Sequence, residues 1–100
     1  MPKIFTYFGF IFYFFSNEHE PIHVHVKHGE KETVFEIILD NGKLKEIRKR
    51  EKRGIDSLNE KDTKTAIEFI QKYNTNIIDK WIKFFVLRKQ IRCTKITNKI

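Results

Sequence analysis

The chain changes its hydrophobic rhythm twice. Residues Ile4 to Phe15 are apolar almost without a break, interrupted by Gly9. Phe and Tyr dominate there, which suits strands, and Gly9 divides the run into Lys3–Phe8 and Phe10–Phe15, a tight hairpin or bulged pair. From Pro21 the period becomes two: Ile22, Val24 and Val26 alternate with His23, His25 and Lys27, the signature of a half-buried strand. Pro21 cannot donate to a ladder, so it marks the strand's start and leaves Glu18 to Pro21 as a loop. His28-Gly29-Glu30-Lys31 reads as a turn. Glu32 to Asp40 is the next strand, with Phe35, Ile37 and Leu39 on one face and Val34, Glu36 and Ile38 on the other. Asn41-Gly42 is a strong hairpin signal that returns the chain into Lys43–Arg50. That strand has only Leu44 and Ile47 as apolar residues, so it reads as an edge, followed by a charged loop over Lys49 to Ser57.

From Asn59 the spacing turns helical. Ala66, Ile67, Ile70, Tyr73, Ile77, Ile78, Trp81 and Phe85 recur every three or four residues. Asn59 is the expected N-cap, with Glu60 and Asp62 in the first turn, where the helix dipole favours acids. Asn74-Thr75-Asn76 is poor helix material, which predicts either one bent helix or a close pair. Beyond Leu87 the chain is basic with scattered isoleucines and reads as a frayed or disordered tail. The pattern therefore predicts an α+β fold: a curved antiparallel sheet of four or five strands over residues 3–50, packed by a helix or helix pair from Asn59 to about Leu87. Residues 1–87 form one domain and 88–100 a basic tail. Trp81 should lie against the aromatic hairpin, the only large apolar surface on offer.

Composition narrows this picture. One hundred residues suffice for one domain with a modest core. The lone Cys93 cannot form an intramolecular disulfide, which makes a reducing cytoplasm the default. The first apolar run is far short of the roughly 20 residues of a membrane-spanning helix, and Ser16-Asn17-Glu18 offers no signal-peptide cleavage site. Eight aromatics between Phe5 and Phe15 suggest strands covered on both faces; a core is the better reading, a base-stacking platform the alternative. The formal charge of +7 favours an acidic partner, RNA, DNA or an acidic protein. Two runs concentrate it. One holds Lys43, Lys45, Arg48, Lys49, Arg50, Lys52 and Arg53; the other, with no acid from Lys83 onward, holds Arg88, Lys89 and Arg92. A solvated, edge-protecting surface explains the first run equally well.

Candidate chemistry is confined to one stretch. Residues 16–28 hold all four histidines, together with Glu18 and Glu20. His23 and His25 share a strand face, about 7 Å apart by strand rise, opposite the face that buries Val24 and Val26. Three uses of that face compete. His23 and His25 can act as general base and acid in RNA cleavage, with Glu18 or Glu20 orienting one imidazole and Lys27 offsetting phosphate charge. Alternatively His19, His23 and His25 supply three nitrogen ligands to a divalent metal such as zinc, nickel or manganese, with Glu18 or Glu20 free as a base. The plainest use is structural, a polar strand surface facing solvent.

The residues themselves match a family pattern. Met1-Pro2-Lys3-Ile4-Phe5, Gly9, the aromatic run through Phe15 and above all S-N-E-H-E-P-x-H-V-H-V at 16–26 resemble the small bacterial domain-of-unknown-function family DUF4160. Its members carry an N-terminal β part and a helical end of the form L-S-x-x-E-L … W-N-x-x-F. Here Leu58-Asn59 stands at the L-S position, and Trp81 with Phe84 and Phe85 stands at the other. The chain departs from the pattern in the long charged segment Ile38 to Ser57, in Ile82 after the tryptophan and in the residues after Leu87. The resemblance implies no established activity. Because such proteins are often encoded beside a second small protein, it implies a toxin–antitoxin-like pair in which this chain binds a cognate protein from an adjacent gene.

Overall fold

The computed structural model describes residues 2–14 and 22–100. Six strands form one sheet: β1 (Lys3–Tyr7), β2 (Phe10–Tyr13), β3 (Ile22–His28), β4 (Lys31–Asp40), β5 (Lys43–Glu51) and β6 (Thr94–Ile96), in the spatial order β5-β4-β3-β2-β1-β6. Among the described residues a single helix, α1 (Glu60–Trp81), runs into a π-helical turn, Ile82–Val86. The fold is α+β, as the pattern predicts, with one strand more than expected.

Local chemistry sets the register. Phe8-Gly9 and Asn41-Gly42 both take positive φ at each residue (43° and 86°, 53° and 78°) and close two-residue turns. Turns of that hand match the twist of the strands they join. With the turns fixed, a one-residue slip would turn every apolar side chain outward. Tyr7 therefore meets Phe10, His28 meets Lys31 and Asp40 meets Lys43. The register of β1 against β2 shifts between Lys3 and Phe5, and the irregularity lets two consecutive residues, Ile4 and Phe5, both be buried.

One face of the sheet packs under α1. Phe12, Val24, Val26, Phe35 and Ile37 are buried there beneath Ala66, Phe69, Ile70 and Ile77. The Phe69 ring stacks on Phe12 at 4.3 Å and meets Phe5 edge-on at 5.4 Å. Trp81 is buried and packs edge-on to Phe14 at 5.4 Å, so it does lie against the aromatic hairpin. The aromatic run from Phe5 to Phe14 is thus core, with Phe8 at the turn exposed. Asn59 caps α1 as expected: its Oδ1 accepts from the Asp62 N–H at 2.8 Å. The helix is bent rather than split, with the kink at Tyr73 (φ −107°, ψ 16°) just before the predicted breaker. It ends where Arg88 turns left-handed (φ 56°) and the Lys89 N–H reaches the Lys83 carbonyl at 2.8 Å.

Two sequence expectations change. Strand β5 continues to Glu51, so the charged loop starts later than Lys49. The basic tail is not frayed throughout, since Thr94, Lys95 and Ile96 pair in parallel with Phe5, Thr6 and Tyr7. Lys80 holds this segment down. Its ammonium donates to the carbonyls of Ile4 and Arg92 (2.7 Å each) and to Thr94 Oγ1 (3.0 Å), above the Phe5 ring at 4.1 Å. Burial pushes the Lys80 amine below its ordinary pKa. The pairing was invisible in sequence because a three-residue strand has no period of its own. It exists because the β1 edge and a half-buried ammonium need partners.

Candidate functional site

The sheet face opposite α1 is built by register. Tyr13 lies opposite His25, Lys27 opposite Glu32, His25 opposite Val34, His23 opposite Glu36, and Glu36 opposite Arg48. Polar and titratable groups from β2, β3, β4 and β5 thus meet on one surface. His25 and Glu32 are each only 3% exposed. His25 Nδ1 lies 3.3 Å from Glu32 Oε2. A carboxylate only accepts, so this contact assigns the proton to Nδ1 and turns Nε2 toward the ring's other surroundings. Lys52, just after β5, donates to the same Glu32 oxygen at 2.7 Å and to the Tyr13 hydroxyl at 3.3 Å. The Tyr13 ring stacks on His25, centroids 5.0 Å apart.

Electrostatics follow from that geometry. Burial pushes the Glu32 carboxyl up. Hydrogen bonds from Lys52 and Tyr13, the Lys52 charge and the bond from His25 outweigh it, and the net shift is below the ordinary value. Glu32 therefore stays ionised and holds His25 in place.

His23 sits beside this group, its ring 5.8 Å from His25 and 5.7 Å from Trp81. The two imidazoles share a face, as the alternation requires, but they are not exposed: His23 is 7% and His25 3% accessible. This corrects the expectation of a solvent-facing pair. Alternation fixes which way a side chain points, while cover comes from residues distant in sequence, here Tyr13, Glu32 and Trp81. Lys27 keeps the same parity and is exposed at the rim.

His28 departs from the cluster. It stacks on Phe10 at 4.1 Å, and its Nδ1 contacts Asp62 at 2.8 Å, joining β3 to the first turn of α1. Glu18, His19 and Glu20 lie outside the described residues. Among the described residues, no group of three or more His, Cys, Asp or Glu is placed to hold a metal ion.

Among the described residues, the carboxylate that pairs with His25 is Glu32, a residue outside the histidine motif. The signal was present. Once Gly29-Glu30 is taken as a two-residue turn, His28 faces Lys31 and Glu32 falls opposite Lys27, one diagonal step from His25.

The basic residues divide. On the histidine face, Arg48 pairs with Glu46 (3.1 Å), Arg50 with Glu36 (3.2 Å) and Lys52 with Glu32. Lys49 lies opposite Phe35, whose parity is that of the helix side, and Lys43, Lys45 and Arg53 are exposed. Arg88, Lys89 and Arg92 are exposed near β6, at the far edge of the sheet from β5. The two basic runs do not merge into one patch.

These features define a small α+β domain with two buried histidines side by side on β3, one of them, His25, hydrogen-bonded to Glu32. The chain belongs to the family described as Domain of unknown function (DUF4160), whose model matches residues 9–82. The match runs from the first hairpin turn to the end of α1 and so contains the histidine pair, Glu32, Lys52, all of β5 and Trp81. Strands β1 and β6 lie outside it. No curated protein and no solved structure matches the chain. Among the described residues, no helix is long and apolar enough to cross a membrane.

Proposed function

We propose that this chain is the binding component of a small two-protein module of the toxin–antitoxin kind, docking a cognate protein from an adjacent gene, with RNA or DNA as a further partner. The observation that carries this reading is the contrast between the sheet's interior and its β5 edge. On the histidine face His25 and Glu32 are buried and held by each other and by Lys52, while β5 leaves a nine-residue basic edge with no strand on its outer side among the described residues. A buried, satisfied cluster supports a scaffold, and an open charged edge supports docking. The two-gene arrangement comes from the family resemblance. Co-expression of the tagged chain with the product of the neighbouring gene tests it: a stoichiometric complex that survives purification is expected. Separate elution of the two proteins at micromolar concentration would end the reading.

A second reading has its own observation. A carboxylate-oriented imidazole, His25 on Glu32, with His23 beside it is the arrangement a general acid–base pair needs in RNA cleavage. Glu32 offers an orienting carboxylate beside those read from the sequence, Glu18 or Glu20, which lie outside the described residues, and Lys27 stands at the rim. This reading expects RNA cleavage that persists in chelator and disappears in both His23→Ala and His25→Ala. Cleavage lost in chelator and restored by a divalent metal would point to the metal alternative.

A further inference from the structure

Strand β5 is the longer of the two sheet edges, and its outer side pairs with nothing among the described residues. Along its helix side run two cavities. One, of about 340 Å³, is lined by Lys43 and Leu44 with Asn74, Thr75 and Ile78 of α1. The other, of about 440 Å³, is lined by Lys49, Leu58, Thr63, Ile67 and Gln71 and by the charged Glu60, Lys64 and Glu68. Leu44, Ile47, Ile67 and Ile78 are half-buried and pack against the core, so the seam between β5 and α1 has an apolar floor. From Leu44 to Lys49 is about 17 Å along a strand, a span that six or seven extended residues cover.

Resting on the two-protein reading above, we propose that the open β5 edge and the two cavities beside it form a strand-addition site for an extended acidic segment of the partner protein, with apolar side chains at alternate positions. Backbone groups of the added strand complete the ladder, and its alternate side chains enter the seam. Charge selects the occupant. Strand β5 carries five basic residues against two acidic ones. Its acidic Glu46 is taken by Arg48, and Glu36 on β4 takes Arg50. Lys43, Lys45 and Lys49 make no ion pair among the described residues. A second copy of this chain would set like charges edge to edge, which disfavours self-pairing. Lys49 lines the seam itself, while Arg48, Arg50 and Lys43 have the parity of the other side of β5, where an added strand's Asp or Glu positions meet the opposite sign.

The test uses the full chain and a capped eight-residue peptide alternating Val and Glu. Its controls are a Val–Lys peptide and a backbone N-methylated form of the Val–Glu peptide. Amide chemical shifts locate binding, and fluorescence anisotropy measures it. The expected result is binding of the Val–Glu peptide with shifts over Lys43–Glu51 and at Ile67 and Ile78, and none for either control. The folded double variant Lys45→Glu/Lys49→Glu should bind at least tenfold more weakly. The proposal is overturned by no binding, by equal binding of the lysine or N-methylated peptide, by shifts centred on the exposed Ile82, Val86 and Leu87, or by a β5-mediated homodimer. The same double variant separates this site from the broader reading. A cognate protein captured equally by wild type and variant ends the strand-addition site and leaves the module standing. A chain that binds the Val–Glu peptide but captures no neighbouring gene product ends the module alone.

Discussion

The two faces of this sheet are both buried at their centres, yet by different means. Under α1, Phe12, Val24, Val26, Phe35 and Ile37 meet Phe69, Ile70 and Ile77, an apolar interface whose stabilisation is non-directional and scales with area. On the other face, His25, Glu32, Lys52 and Tyr13 are held by specific donors and acceptors. The first face tolerates changes that conserve volume. The second depends on its members acting together, because removing one weakens the hold on the buried Glu32 carboxylate that the others share. A helix-side position is specified by size, and a histidine-side position by chemical identity.

The sharpest way to break the apolar side is Phe69→Ala, which removes a ring packed on Phe5, Tyr7, Phe12 and Tyr73. A loss of about 3–5 kcal/mol is expected, read by denaturant unfolding, whereas Phe69→Leu should retain most of it. Equal losses for the two would contradict a size-specified face.

On the polar side, Lys52→Met should cost about 3 kcal/mol by taking the ammonium from the buried Glu32 carboxylate, which keeps the weaker bonds from Tyr13 and His25. Adding Glu32→Gln should restore part of that loss, so the double variant melts above the single one. An additive double variant would show that the pair is not coupled. Acid unfolding sharpens the same point. The Glu32 pKa is depressed in the fold, so its contribution is complete above the unfolded carboxyl pKa of about 4.3 and disappears as pH falls through the lower folded value. Stability from this pair should therefore be flat from neutral pH to about 5 and decline only below that. In Lys52→Met, burial is left opposed only by the weaker partners, and the decline should begin at higher pH.

A smaller effect is expected for His25→Ala, about 1–3 kcal/mol, because a buried, hydrogen-bonded ring is lost rather than an exposed one. Thermal melts compared with RNA-cleavage assays on the same protein separate structural loss from chemistry. The smallest effect belongs to Arg50→Ala, whose ion pair with Glu36 lies on the exposed part of the face. A change under about 0.5 kcal/mol is expected, and a loss like that of Lys52→Met would extend the cooperative cluster to β5.

Local chemistry in the sequence determined much of this protein. Gly9, Asn41-Gly42 and Gly29 carry the turns, and the alternation from Ile22 to Lys27 gives the parity of His23 and His25. Asn59 carries the cap, and the helical stripe carries the seating of Trp81. Each of these is decided within a few residues by backbone sterics or side-chain periodicity. The tertiary structure decided what depends on partners distant along the chain. Among the described residues, cover for the two histidines came from Tyr13, Glu32 and Trp81, which no periodicity places over them. The choice of Glu32 as the carboxylate came from a cross-strand diagonal, and Lys52 joined it from 20 residues away. The capture of Thr94–Ile96 by β1 came from an edge and an ammonium that had to be satisfied once α1 had brought Lys80 to Ile4. Sequence settles direction and period, because those are local. Cover and partnership are settled by packing, because a buried polar group accepts whichever partner the fold delivers.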